Sequence, residues 1–94
     1  MAGNEIAMKS VNIPSGAVIS RCTVYGSNGA KTWSLNRRLV DNTGLTDTMA
    51  TAAVGTADKT ISYAEIDTEK YSYWLEVEIA NNDFIYSAMI EYVI

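Results

Sequence analysis

The segment GSNGAKTW, residues 26–33, carries two glycines, a lysine and a threonine, the residue types of a phosphate-binding loop. Such a loop reads G-x-x-x-x-G-K-[ST] and opens a helix whose free amides hold the phosphates. Here two residues separate Gly26 from Gly29, and Ala30 stands between Gly29 and Lys31. The run that follows, TWSLNRRLV, alternates like a strand. Asn28-Gly29 is a dipeptide that tolerates positive φ in tight turns, so the spacing predicts a hairpin turn and no nucleotide site.

The remaining reactive groups are sparse. Glu76 and Glu78 fall on one face of a strand, about 6–7 Å apart, near the carboxylate separation of a glycosidase. A 94-residue chain has little material for the cleft such a site needs, and a solvated acidic face is the expected reading. Asp41, Asn42 and Asp47 in DNTGLTD are oxygen donors suited to calcium, but they lack the D-x-[DN]-x-[DN]-G spacing and a distant bidentate glutamate. There is one cysteine and no histidine, which excludes an internal disulfide and argues against zinc or copper. Cys22, flanked by Val18, Ile19 and Val24, is expected to be a small buried hydrophobe and not a reactive thiol. With no nucleophile beside a base, no catalytic, cofactor or metal site is expected.

Elements that could position any of these groups come from one small domain. A chain of this length buries about 60–65% of its unfolded surface, enough for one modest core. The 48% apolar content, with two Trp, six Tyr and one Phe, places it among folded domains. Net charge is −4, and the seven basic residues are dispersed. Only Arg37 and Arg38 are adjacent, and on a strand they point to opposite faces, which argues against a nucleic-acid partner. MAGNEIAMKS has no signal-peptide core, and no run approaches the ~18 apolar residues of a membrane helix. A soluble protein made in the cytoplasm, with no membrane partner, is expected.

The periodicity is two. In YSYWLEVEIA (71–80), Tyr71, Tyr73, Leu75, Val77 and Ile79 share one face, opposite Ser72, Trp74, Glu76 and Glu78. Residues 16–26 and 32–40 alternate similarly, the latter with Trp33, Leu35 and Leu39 on one side. Shorter candidates are Ile6 to Asn12, Asp47 to Val54 and Thr60 to Tyr63, and the run Phe84 to Ile94 is long and apolar. Turn chemistry separates them: PSG, GSNG, DNTG, GTAD, DTEK and NND. About seven strands with turns every 8–12 residues predict an all-β fold: a single small antiparallel β-sandwich, jelly-roll-like or immunoglobulin-like. Residues 11–94 would form the sandwich and residues 1–10 a flexible or partner-ordered N-terminal arm.

Two features exceed what a solitary domain needs. If the larger apolar set of 71–80 faces the core, Trp74 faces out, as a covered side chain, a subunit contact or a sugar platform. In FIYSAMIEYVI, Phe84, Tyr86, Ala88, Ile90, Tyr92 and Ile94 make one face and Ile85, Ser87, Met89, Glu91 and Val93 the other, both mainly apolar. With no helices to supply a further layer, Ile85, Met89 and Val93 are expected to form an interface patch. Burying three such side chains contributes about 5–8 kcal/mol before association costs. Ile6 and Met8, from the N-terminal arm, complete the expected contact set with Trp74.

The layout VNIPSGAVISRCTVYG, TWSLNRRLV, AEIDTEKYSYWLEVEI and MIEYVI resembles small jelly-roll-like β-sandwich domains in structural proteins of tailed phages. The resemblance spans about residues 11–94 and rests on Ile13, Pro14, Gly16, Ile66, Asp67, Tyr71 and Tyr73, which look architectural. It implies a virion structural protein without catalytic residues. A capsid decoration (cement) protein, a homotrimer bound to the major capsid protein on the particle exterior, is the expectation. A start methionine and the absence of a long fibrous region favour this over a fibre fragment, and assembly in the host cytoplasm needs no signal peptide. Two alternatives stay open: a carbohydrate- or receptor-binding module, as at a phage tail or fibre tip, stacking sugars on Trp74, and a small glycoside-active enzyme using Glu76 and Glu78.

Overall fold

The computed structural model describes residues 5–41, 46–80 and 82–94, with the backbone course alone for 5–7. It is an all-β antiparallel sandwich of six strands: β1 (Glu5–Ser10), β2 (Val18–Gly26), β3 (Thr32–Leu39), β4 (Asp47–Ala53), β5 (Tyr71–Ile79) and β6 (Ile85–Val93). One sheet has four strands in the order β1-β5-β3-β4, and the other pairs β2 with β6. The sheets are unequal, and that inequality shapes the molecule's surface.

Two expectations need correction. Thr60 to Tyr63 is not a strand, so the described residues hold six strands and not seven. That segment belongs to a connector bonded to both sheets, and Ser62 N–H donates to Met49 O (2.9 Å). Nor do the described residues of the N-terminal segment, 5–10, stand off as an arm. Residues 5–10 pair antiparallel with β5, from Glu5↔Ile79 to Ser10↔Trp74, which takes up an edge of β5 that would otherwise be open.

The core lies where the expected faces meet. Tyr73, Leu75 and Val77 of β5 and Trp33 and Leu35 of β3 pack with Ile19, Cys22 and Val24 of β2, all buried. Trp33 is fully enclosed, and its indole N–H is shared between Ala53 O and Thr56 O, each at 3.1 Å. These carbonyls flank the place where the chain changes sheets. Val54 N–H bonds Lys31 O beside β3, and Gly55 N–H bonds Val24 O on β2. The change happens within one residue because Gly55 adopts φ +88°, which a side chain would resist.

From there the connector seals one side of the sandwich. It pairs with β2 through Asp58 and Cys22, whose amides exchange bonds of 2.9 and 3.0 Å, and through Ile19 N–H to Ala64 O (2.9 Å). The Asp58 carboxylate accepts from Thr51 N–H of β4 (3.0 Å) and from Thr60 N–H (2.8 Å). The outer edges of β2 and β4 are thus both capped by residues 55–66.

The positions that carry the phage-domain resemblance form one joint. Gly16 N–H donates to Ile66 O and Ile66 N–H to Ala17 O, both at 2.8 Å. Asp67 N–H donates to the Tyr73 hydroxyl (2.8 Å), and Asp67 O accepts from Tyr71 N–H (3.0 Å). A buried hydroxyl bonded to backbone a few residues upstream fixes the corner leading into β5, as in Greek-key sandwiches. Tyr73→Phe should therefore cost about 1 kcal/mol by leaving the Asp67 amide unpartnered. A urea midpoint unchanged within error would assign that amide to water instead.

The GSNGAKTW turn is a corner between sheets and not a hairpin, because β2 and β3 lie in different sheets. Asn28 Oδ1 accepts from Ala30 N–H (2.9 Å), and Asn28 Nδ2 reaches the Asp83 carboxylate (3.3 Å), tying this corner to the one before β6. Positive φ occurs at Gly16, Gly55 and Tyr63 among the described residues, so Asn28-Gly29 does not use the conformation expected of it.

Cys22 is buried, as its apolar flanks predicted. Burial, then the nearby Asp58 carboxylate, pushes its thiol pKa from the ordinary 9.0 up to about 12, against a smaller lowering by the Thr23 amide. The thiol should resist an aromatic disulfide reagent at pH 8 and react at once in denaturant. Rapid native labelling would contradict its burial. The sign for stability follows: between pH 9 and about 12 the unfolded thiol ionises while the folded one does not, so this group's contribution, intact below pH 9, is lost as pH rises.

Candidate functional site

The expected contact residues separate onto opposite sides of the sandwich. Trp74 stands on the outer face of the four-stranded sheet, in register with Ser10 of β1 and Asn36 of β3. It is half-buried, and its indole N–H donates to Glu76 Oε1 at 3.3 Å. Asn36 on this face is buried, with its amide spent on Ser34 Oγ (3.0 Å) and Thr48 Oγ1 (3.1 Å). Met8, paired with Glu76, is exposed beside Trp74, and a shallow hollow of about 250 Å³ lies between Met8, Ser72 and Trp74. Ile6 pairs with Glu78 through its backbone, and its side chain lies outside the described residues.

This outer face suits neither alternative chemistry well. Trp74 offers a half-covered ring whose N–H is already engaged, not an open stacking platform. Glu76 and Glu78 share the outer face as predicted, but on an open sheet surface, where a glycosidic bond could not be shielded from water. Of the calcium candidates, Asp47 is held by Arg37 at 3.0 Å, with the guanidinium 3.9 Å from the Tyr71 ring centre and 4.0 Å from that of Tyr63. Asn42 lies outside the described residues.

The other expected patch is on β6. Met89 and Val93 are on the outer face of the two-stranded sheet, opposite Thr23 and Val18, and both are exposed. Between them Glu91 pairs with Arg21 at 3.3 Å. Ile85 does not join them. A bulge makes Tyr86 an extra residue between the pairs Tyr25↔Ser87 and Gly26↔Ile85, which reverses the alternation. Ile85 therefore turns toward Val54 and the inter-sheet space.

What periodicity did not reveal is that the inward face of β6 is also open. Tyr86, Ala88, Ile90 and Tyr92 were expected to face the core. Ile90 does pack, half-buried, against the core, but Tyr86, Ala88 and Tyr92 are exposed. All four line a groove of about 590 Å³, whose opposite wall is β1 with Leu75 and Val77 of β5. A two-stranded sheet cannot cover a four-stranded one, and β6 stops short of β1. Lys9 stands in this wall, a cation at the rim of a mostly apolar trough. Strand alternation told which side chains share a face, and only counting strands per sheet could have shown that one face lacks a cover.

Among the described residues no three or more of His, Cys, Asp and Glu cluster to hold a metal ion, and no helix is long and apolar enough to cross a membrane. Compared with known proteins, the chain matches no family model, no curated protein and no solved structure.

Proposed function

We propose that this chain is a non-enzymatic structural protein of a virion, a decoration protein that associates with its own copies and docks on the capsid exterior. The observation that carries this reading is the asymmetry of the sandwich. One side is sealed by residues 55–66, whereas the opposite side leaves an apolar groove and an apolar strand uncovered. A surface of that kind marks a place where another protein sits. The resemblance to phage sandwich domains supplies the particle, and its motif positions have architectural roles here. A net charge of −4 suits an outer surface better than one facing packaged nucleic acid.

Virions of the phage that encodes the chain, purified on a density gradient, test the reading by quantitative mass spectrometry. The protein is expected at a fixed ratio to the major capsid protein through successive gradients. Its absence from intact particles would sink the proposal.

A further inference from the structure

We infer that the free edge of β6 pairs antiparallel with β6 of a second copy about a two-fold axis at Met89. The inference rests on the self-associating part of the reading above. It replaces the three-fold arrangement that the resemblance implies, because a strand paired antiparallel with its own copy closes as an isologous dimer.

The first argument is the contrast between the edges. The outer edges of β2 and β4 are capped through Asp58, Ala64 and Ser62. Among the described residues β1 and β6 each have a strand partner on one edge only, and β1 is the shorter, six residues with Glu5 and Lys9 among them. Natural edge strands are guarded by proline, charge, bulges or short length, and the one bulge of β6 lies at its first end, at Tyr86. β6 runs nine residues, contains no proline, and its one charge, Glu91, is already taken by Arg21. It is a neutral strip on a chain of net charge −4, so two copies can meet there without like charges facing.

The second argument is area. Phe84 is 65% exposed, Tyr86 69%, Met89 46%, Tyr92 42% and Val93 63%. With aromatic side chains of about 150–250 Å² each, β6 and its ends offer roughly 600 Å² of mostly apolar surface, near the ~800 Å² that each partner of a standard interface buries.

The third is register. A two-fold axis normal to the sheet preserves faces, so each residue must meet one of its own parity. Pairing the nine-residue strand over its full length, Ile85 to Val93, centres the axis on Met89. Tyr86 then faces Tyr92 of the other copy, Ala88 faces Ile90 (small against large), and Ser87 faces Glu91. No carboxylate opposes another. The same rotation turns the open groove of one copy toward that of its mate.

Sedimentation equilibrium of the full chain, from 1 to 100 μM, supplies the test. Twice the 10.3 kDa chain mass is expected. Ser87→Glu, on the exposed outer face, sets a carboxylate opposite Glu91 of the mate and should weaken the dimer at least tenfold. Ser87→Arg, equally bulky and charged, should hold it or tighten it. Oxidation of Met89→Cys should give a disulfide-linked dimer through the axis, with buried Cys22 silent. A monomer at 100 μM, a three-chain mass, or equal weakening by Ser87→Glu and Ser87→Arg overturns the pairing. The particle reading fails separately: a monomer found on virions sinks the two-fold pairing alone, and a dimer absent from virions sinks the decoration role alone.

Discussion

Trp33→Ala is expected to remove about 4–5 kcal/mol of stability, a large part of the roughly 5–14 kcal/mol that a domain of this size has in total. The reason lies in two roles that coincide in one side chain. Trp33 is fully buried between the sheets, and an aromatic of that size removes about 200 Å² from water. Its indole N–H also holds Ala53 O and Thr56 O, on either side of the residue where the chain leaves one sheet for the other. Truncation leaves a cavity and two carbonyls without their donor at the corner that starts the sealing connector. Trp33→Phe keeps most of the volume but not the donor, and should cost about 2 kcal/mol. Urea titration followed by far-UV circular dichroism reads both, and Trp74 remains as a fluorescence probe. A loss below ~2 kcal/mol for Trp33→Ala would mean that the sheets close over the gap and that the corner is held by Gly55 and Val54 alone.

The connector that Trp33 anchors also shows where sequence reading succeeds and where it stops. The alternation of β5 was legible, since Tyr73, Leu75 and Val77 are buried and Ser72 and Glu78 are exposed as their period of two requires. Trp33 and Leu35 on β3 and the burial of Cys22 were legible for the same reason. Thr60 to Tyr63 misleads because its β-prone residues find one backbone bond to β4, Ser62 N–H to Met49 O, and one to a side chain, Thr60 N–H to Asp58. The bonds to β2 fall on either side of it, at Asp58 and Ala64. Local composition does not encode how many partners a segment finds. The GSNGAKTW turn was legible as a turn but not as a corner, since nothing near Asn28 states that β2 and β3 part company.

The candidate contact surface divides along similar lines. The outward positions of Met89, Val93, Met8 and Trp74 follow from alternation alone. Ile85 does not, because the bulge at Tyr86 is a property of the β2–β6 pairing and not of either strand. The exposure of Tyr86, Ala88 and Tyr92 on the inward face could not be read at all. Alternation fixes which way a side chain points, whereas burial depends on whether another sheet stands there. That is a count made over the whole chain. In this molecule the count is four strands against two. The deficit falls on the side where β1 and β6 face each other across the groove, so the same imbalance that thwarts the sequence reading supplies the surface for a second copy.

Gly26→Ala tests how firmly β6 is held to its sheet before any partner arrives, and it is expected to cost about 2–3 kcal/mol. The conflict is one of space and not of φ. A Cβ at residue 26 would stand 2.7 Å from Phe84 O, 3.0 Å from Ile85 Cδ1 and 3.2 Å from Val54 Cγ1. The nearest of these is backbone, and it cannot swing away as a side-chain tip would. Phe84 O also accepts from Ser27 N–H at 2.8 Å, and Phe84 N–H donates to Ser27 Oγ at 2.8 Å, so displacing it strains both bonds that clasp the two corners together. The damage should be local in a way hydrogen exchange resolves. Amides of β2 and β6 should lose protection first, while those of β3 and β5, bonded within the other sheet, keep theirs. Because the start of β6 would then shift against β2, Tyr86 and Tyr92 would no longer present a straight edge, and self-association should weaken along with stability. If stability falls but the dimer constant does not, the subunit contact lies elsewhere than on β6. If neither changes, the corner at Phe84 yields freely, and the geometry of the bulge at Tyr86 is set by the end of the strand and not by its contact with Gly26.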